Sequence, residues 1–168
     1  MDASDIAIVG GGVMGASAAF WLTRADPGLS VTVVERDPSY AAAATALSVA
    51  SIRAQFSSAI NVKISRFGFE FVRDFADWTG PAGGVASLGL RENGYLFLAG
   101  TEDGARTLRE NAALQRDLGA ATELMAPDAL ARRVPWLQTM DVALASFGAR
   151  GEGWFDNMGL LSGLRAAA

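Results

Sequence analysis

Apolar and polar positions along the first third of the chain fall into short blocks. Ile6-Ala7-Ile8-Val9 is an apolar run of strand length, followed by Gly10-Gly11-Gly12-Val13-Met14-Gly15 and by a helix-like stretch at 16–24. After the loop Ala25-Asp26-Pro27-Gly28-Leu29, the β-branched run Val31-Thr32-Val33-Val34 ends on Glu35. The predicted order is strand, glycine turn, helix, strand.

Farther on, Ile60, Ile64, Phe67, Phe71 and Phe75 recur at helical spacing, with Lys63, Arg66, Glu70, Arg73 and Asp77 between them. This pattern predicts one helix over 60–78 whose aromatic stripe faces a core. Thr79-Gly80-Pro81-Ala82-Gly83-Gly84 is the best internal boundary. Beyond it, 87–91 and 95–99 read as strands joined by Glu92-Asn93-Gly94, since Asn-Gly favours a tight hairpin. Thr101-Glu102-Asp103 opens a helix running to about 118, with Gly119 as its stop. A short helix at 127–133 ends before Pro135, 142–147 reads as a strand, and 162–168 as a further helix. The small-residue segment 41–51 has two readings. It is either an Ala-rich helix, or a segment lying close against a cofactor with Thr45 and Ser48 offering hydroxyls to its phosphates.

The glycine turn carries the clearest chemistry. Gly10, Gly12 and Gly15 form G-x-G-x-x-G, and Glu35 lies 20 positions past Gly15. Gly10 lets the backbone turn sharply, Gly12 lets it approach a pyrophosphate, and Gly15 lets the helix pack on the sheet. The unpaired amides that begin the helix then face the phosphates. A carboxylate at the tip of the second strand accepts from ribose hydroxyls and repels a 2′-phosphate, which argues against NADP; Arg36 weakens that last point slightly. The alternative is a purely structural turn. Which dinucleotide binds does not follow from this stretch.

Composition narrows the field. With 168 residues, 51% hydrophobic and 19% charged, the chain is globular and forms one domain or parts of two. Its net charge of −4 comes from interspersed acids and bases, so nucleic acid is not an expected partner. It contains no Cys and no His, which removes disulfides, thiolate chemistry, ordinary Zn sites and His-based triads from this chain. Residues 6–23 form an uncharged window of 18, the lower limit for a membrane span, but four glycines break it, so no span is expected. The acidic start Met1-Asp2-Ala3-Ser4-Asp5 lacks the basic segment of a secretory signal, so the expected location is cytoplasmic.

The sequence resembles the FAD-dependent D-amino-acid oxidase superfamily, with sarcosine oxidase, glycine oxidase and dimethylglycine dehydrogenase as its nearest members. The residues that carry the resemblance are 5–15 with Glu35-Arg36, and Ser48-Val49-Ala50-Ser51-Ile52-Arg53-Ala54-Gln55-Phe56. Weaker matches are 124–128 leading to Pro135-Trp136-Leu137, and Gly153-Trp154-Phe155-Asp156.

The resemblance implies FAD rather than NAD, contacted by Gly10, Gly12, Val13, Met14, Gly15, Glu35, Arg36, Thr45 and Ser48. With no Cys or His for a tether, the flavin is expected to be held non-covalently. It also implies that Arg53 faces the flavin and pairs with a substrate carboxylate, against the plainer reading of an arginine in an ordinary ion pair or at the rim of the domain. The activity implied is oxidation of the C–N bond of an amino acid or N-methyl amine by hydride transfer to flavin N5.

The fold class expected is α/β: a Rossmann-like FAD-binding βαβ unit at 1–80 and the start of an α+β substrate domain with antiparallel strands at 81–150. Residues 151–168 then return to the first domain. Family members run to more than twice this length, so the fold is expected to be incomplete, an N-terminal portion inactive alone. Two other readings stand beside it. One is a non-catalytic dinucleotide-binding module whose sheet is completed by a partner chain or a second copy. The other is an NAD-dependent dehydrogenase, disfavoured because no regular βαβ succession follows Glu35.

Overall fold

Strand β1 (Ile6–Val9) runs into the glycine turn, helix α1 (Val13–Ala25) follows, and β2 (Val31–Val34) lies parallel to β1, with Ile6 opposite Val31 and Val9 opposite Val34. These elements come from a computed structural model that describes residues 3–168, so Met1 and Asp2 of the acidic N-terminal stretch lie outside the described residues. Helix α1 begins at Val13, ahead of the predicted start at 16, because Gly12 is already its N-cap.

Segment 41–49 is a chain of turns and contains no regular helix. It is bracketed by two non-glycine residues at positive φ, Tyr40 (φ 57) and Ala50 (φ 51). That backbone conformation is uncommon outside glycine and steers the chain sharply into and out of the segment. Strand β3 (Ser51–Ile52) follows.

The helix predicted over 60–78 is two helices, α2 (Ala59–Arg73) and α3 (Phe75–Gly83), separated at Asp74 (φ −104, ψ 27). Helix α3 is itself broken at Gly80 (φ 61, ψ −163), the residue before Pro81. Proline lacks an N–H and disfavours helical geometry in the residue before it, and glycine alone adopts the resulting conformation cheaply. The aromatic stripe does not face one core. Phe71 and Phe75 are buried, whereas Ile60, Ile64 and Phe67 are exposed.

The remaining elements are β4 (Tyr95–Ala99), α4 (Glu102–Asp117), β5 (Thr122–Met125), α5 (Pro127–Arg133), β6 (Leu144–Gly148), β7 (Gly153–Trp154) and α6 (Asn157–Ala167). Thr101 caps α4, its Oγ1 accepting from the Gly104 N–H at 3.1 Å. Gly119 follows at φ 81, a conformation suited to a helix stop. Helix α6 begins well before the predicted residue 162, because the Asp156 carboxylate accepts the Met158 and Gly159 N–H groups.

The predicted hairpin is absent. Residues 87–90 form no strand, Arg91 makes an isolated bridge to Trp154, and β4 pairs antiparallel with β6. Gly94 does turn (φ 80), but its N–H donates to the Glu152 carbonyl at 3.1 Å, so the turn feeds a distant strand. The sheet has the order β4-β6-β5, and β5 had no signal in the sequence pattern.

Two compact units result among the described residues: residues 3–50, 71–90 and 155–168, and residues 51–70 and 91–154. The division expected from the sequence, at 80 and 150, is a different partition. In the first unit Ala16, Phe20, Phe71, Phe75, Leu161 and Leu164 form the core. Phe20, Trp21, Phe71 and Trp78 pack ring against ring there, Phe20 and Trp21 edge-on at 5.1 Å. Full burial of each large side chain contributes roughly 1.5–3 kcal/mol. In the second unit α4 lies on the three-stranded sheet, around Ala105 and Leu144, and Leu130 of α5 packs with Met125 and Ala145. Among the described residues no helix is long and apolar enough to cross a membrane; the uncharged window is split between β1 and α1.

Candidate functional site

Gly10 stands at φ 97, and its N–H donates to the Val34 carbonyl at 2.8 Å, so the turn is tied to the tip of β2. A Cβ at Gly10 would point into open space, and one at Gly12 would meet only Thr45 Oγ1, at 3.4 Å. At these two glycines the main chain has no close neighbour on its side-chain side. Gly15 has a different reason to be glycine, since a Cβ there would overlap the Gly10 carbonyl. Helix α1 is seated directly on the turn.

Gly11, which the fingerprint leaves unspecified, is more crowded than Gly10 or Gly12. A Cβ there would lie 2.8 Å from the Tyr40 hydroxyl and 3.1 Å from the Glu35 Cβ. The run of three glycines was the only sequence signal for it.

Glu35 turns back toward the glycines. Its Oε2 accepts the Gly11 N–H at 2.7 Å and its Oε1 accepts the Asp37 N–H at 2.9 Å. These two amides, Asp37 first, hold its carboxyl below the ordinary value of 4.5, and the neighbouring Arg36 charge adds to the effect. Arg36 and Met14 are exposed. Beside Glu35 is a cavity of about 300 Å³ lined by Gly11, Ala16, Glu35, Tyr40 and Arg165, within the size range of small-ligand sites. The Arg165 guanidinium lies over the Tyr40 ring at 4.9 Å.

Thr45 is buried, and its Oγ1 accepts the Val13 N–H, the first amide of α1, at 3.0 Å. Ser48 is exposed, and its Oγ accepts the Ala50 N–H at 3.0 Å, two residues on. Asn157, which the sequence reading missed, donates from Nδ2 to the carbonyls of Thr45 at 2.5 Å and Ser48 at 3.3 Å. The first unit therefore gathers the glycine turn, Glu35 and Thr45 around the start of α1. Bare backbone at a helix N-terminus suits a pyrophosphate, and a strand-tip carboxylate suits a vicinal diol.

Arg53 belongs to the second unit. Its guanidinium lies over three aromatic rings, Phe56 at 4.9 Å and Tyr95 and Phe97 at 5.4 Å each. One Nη reaches the Tyr95 hydroxyl at 3.4 Å, while Nε is buried without a hydrogen-bond partner. No salt bridge holds Arg53 among the described residues, so the ordinary ion-pair reading finds no partner here. Behind it is a polar cluster without sequence signal. The Glu152 carboxylate accepts the Ala54 N–H at 2.7 Å and Gln55 Nε2 at 2.8 Å, and the Ser146 hydroxyl donates to Gln55 Oε1 at 2.5 Å. Burial pushes the Glu152 carboxyl above 4.5, against the opposing pull of those donors and of the Arg53 charge. Among the described residues no cluster of acidic side chains could hold a metal ion.

A family model described as FAD dependent oxidoreductase matches residues 5–168. The chain is 44% identical over 169 residues to FAD-dependent oxidoreductase domain-containing protein 1 of Xenopus laevis, covering 98% of this chain and 34% of that protein. Glycine oxidase from Geobacillus kaustophilus is similar in structure, with a TM-score of 0.77 at 26% identity over 98% of this chain and 44% of that one. L-proline dehydrogenase from P. horikoshii gives a TM-score of 0.76 at 25% identity, over 99% and 41% respectively. The chain spans about a third of the length of the curated relatives it matches, 34% for the frog protein.

Proposed function

This chain belongs to the family of FAD-dependent oxidoreductases, and from that premise we propose that it is the dinucleotide-binding portion of an enzyme oxidising the C–N bond of an amino acid or N-methyl amine. FAD is held non-covalently. The main chain at Gly10, Gly12, Val13 and Met14 takes the pyrophosphate, with Gly15 keeping α1 seated on the turn. Glu35 accepts the ribose hydroxyls, since each of its oxygens has a lone pair beyond the one given to Gly11 or Asp37. Arg36 flanks the ribose, and the Thr45–Ser48 stretch lies beside the phosphates.

When bound, FAD supplies the hydride acceptor at flavin N5. Arg53 grips the substrate carboxylate through Nε and Nη, because a guanidinium is permanently charged and bidentate. Phe56, Tyr95 and Phe97 wall the guanidinium off from water, which strengthens that pairing. The observation that carries this reading is the buried, unpartnered Nε of Arg53. A buried donor left unpaired is costly, and a ligand oxygen satisfies it.

The test is a titration of the FAD-loaded protein with sarcosine and with dimethylamine, which lacks the carboxylate, read as perturbation or bleaching of the flavin band. Sarcosine acts at far lower concentration than dimethylamine, and Arg53→Ala erases that difference. Equal response to both amines in the wild type, or a difference that survives in Arg53→Ala, overturns the reading.

A second reading is favoured by the exposure of Val9, Val33 and Val34 on the two-stranded β1–β2 sheet. A parallel pair is ordinarily covered on both faces. On this reading the chain is a nucleotide-binding module completed by a partner chain or a second copy, and mass measurement in solution tests it.

A further inference from the structure

The peptide group joining Arg53 to Ala54 is clamped at both ends. Its carbonyl oxygen accepts from the Ser65 hydroxyl on α2, and its N–H donates to Glu152 Oε1 at 2.7 Å. Fixing both ends of one peptide plane fixes the position of the Arg53 Cα from which the side chain leaves the backbone. Glu152 is 1% exposed, and its second oxygen is taken by Gln55 Nε2, which also donates to the Tyr95 carbonyl at 2.8 Å. Gln55, held by that carboxylate, therefore ties the segment carrying Arg53 to β4 at Tyr95, one of the rings over the guanidinium. Room for it exists because residue 148 is glycine, where a Cβ would overlap the carboxylate.

Burying a carboxylate is unfavourable without compensation, and a simple structural tie could have been an amide. A carboxylate differs in being acceptor-only at both oxygens. A glutamine at 152 would set its NH₂ against that of Gln55 or against the Ala54 N–H.

We propose that Glu152 is the positioning residue for Arg53. It locks the Arg53–Ala54 peptide and the Gln55 amide so that the guanidinium stays among Phe56, Tyr95 and Phe97 with Nε free of any protein acceptor. This rests on the carboxylate reading of Arg53 given above. The Glu152 oxygens accept from N–H donors of the main chain and of Gln55, and no hydrogen bond joins them to the guanidinium.

The test is nitrogen-15 NMR of arginine-labelled protein, following the Arg53 Nε–H resonance with and without glycine betaine. Betaine is a carboxylate whose nitrogen is fully methylated. In the wild type, betaine shifts this resonance, and Arg53→Met removes it, which identifies the signal. In Glu152→Gln the ligand-free resonance moves and broadens, and betaine affinity falls about tenfold, equivalent to about 1.4 kcal/mol. Thr101→Ala is the control. It deletes the hydrogen bond that the Thr101 hydroxyl accepts from the Gly104 N–H at the start of α4, in the same unit, and it leaves the Arg53 resonance and betaine affinity unchanged.

If Glu152→Gln does not fold, Gln55→Ala removes the donor at the other oxygen and must show the same displacement. An unchanged resonance and affinity in whichever of the two variants folds overturns the positioning role. The same holds if Thr101→Ala matches their loss. Betaine that leaves the wild-type resonance unmoved overturns the carboxylate reading instead, and the ligand-free spectra still decide whether Glu152 positions Arg53.

Discussion

The Thr45 hydroxyl accepts a hydrogen bond from the Val13 N–H at 3.0 Å, joining the small-residue segment to the first amide of α1 across 32 residues of sequence. An oxygen at a helix start satisfies an orphan donor, and its loss typically costs about 1 kcal/mol. Thr45→Val is expected to lower stability by about that amount and to weaken FAD binding, because segment 41–49 is then no longer pinned to the turn. Thr45→Ser keeps both. Denaturant titration and flavin-fluorescence titration of the two variants check this.

The glycines separate into those that the fold needs and one that the ligand needs. Gly15→Ala drives a methyl into the Gly10 carbonyl, and overpacking of this kind costs about 1–3 kcal/mol or more. Gly12 has φ −64 and meets only the Thr45 hydroxyl, so Gly12→Ala is expected to fold with a loss of about 1 kcal/mol or less. It still puts a methyl where the pyrophosphate approaches, so FAD affinity drops at least about tenfold, or 1.4 kcal/mol. Thermal unfolding and FAD titration of the two variants separate these outcomes.

Acid acts on the site through Glu35. Its folded-state carboxyl titrates below 4.5, so its contribution is complete above that value and is lost as pH falls through the lowered folded one. Unfolding measured in steps of pH below 5 should show a decline for the wild type that is shallower in Glu35→Gln.

Glu152 works in the opposite sense. Its folded carboxyl titrates above 4.5, so this group favours the folded state fully below 4.5, and the benefit disappears as pH rises through the raised value. As pH is lowered from 7 toward 4.5, the wild type should gain stability relative to Glu152→Gln. A constant difference between the two across that range counts against the burial described for Glu152.

The amino-acid sequence alone determined the elements whose signals are local. Ile6–Val9 and Val31–Val34 are strands because β-branched and apolar runs are bounded by glycine and proline. Thr101 and Gly119 delimit α4 because capping chemistry reaches only a few residues. The spacing from the glycine turn to Glu35 was legible for the same reason, as one strand and one helix fix it.

What needed distant partners could be settled only in three dimensions. Residues 95–99 pair with β6 and not with 87–91, because an Asn-Gly turn sets local direction while strand pairing follows side-chain packing across the sheet. The stripe Ile60, Ile64, Phe67, Phe71 and Phe75 is one periodicity on two helices, and only Phe71 and Phe75 meet a core. Gln55 and Glu152 meet across 97 positions of sequence, and Thr45 and Asn157 across 112. Hydrogen bonds between single polar residues leave no periodic trace, so neither contact could be read until the chain had folded.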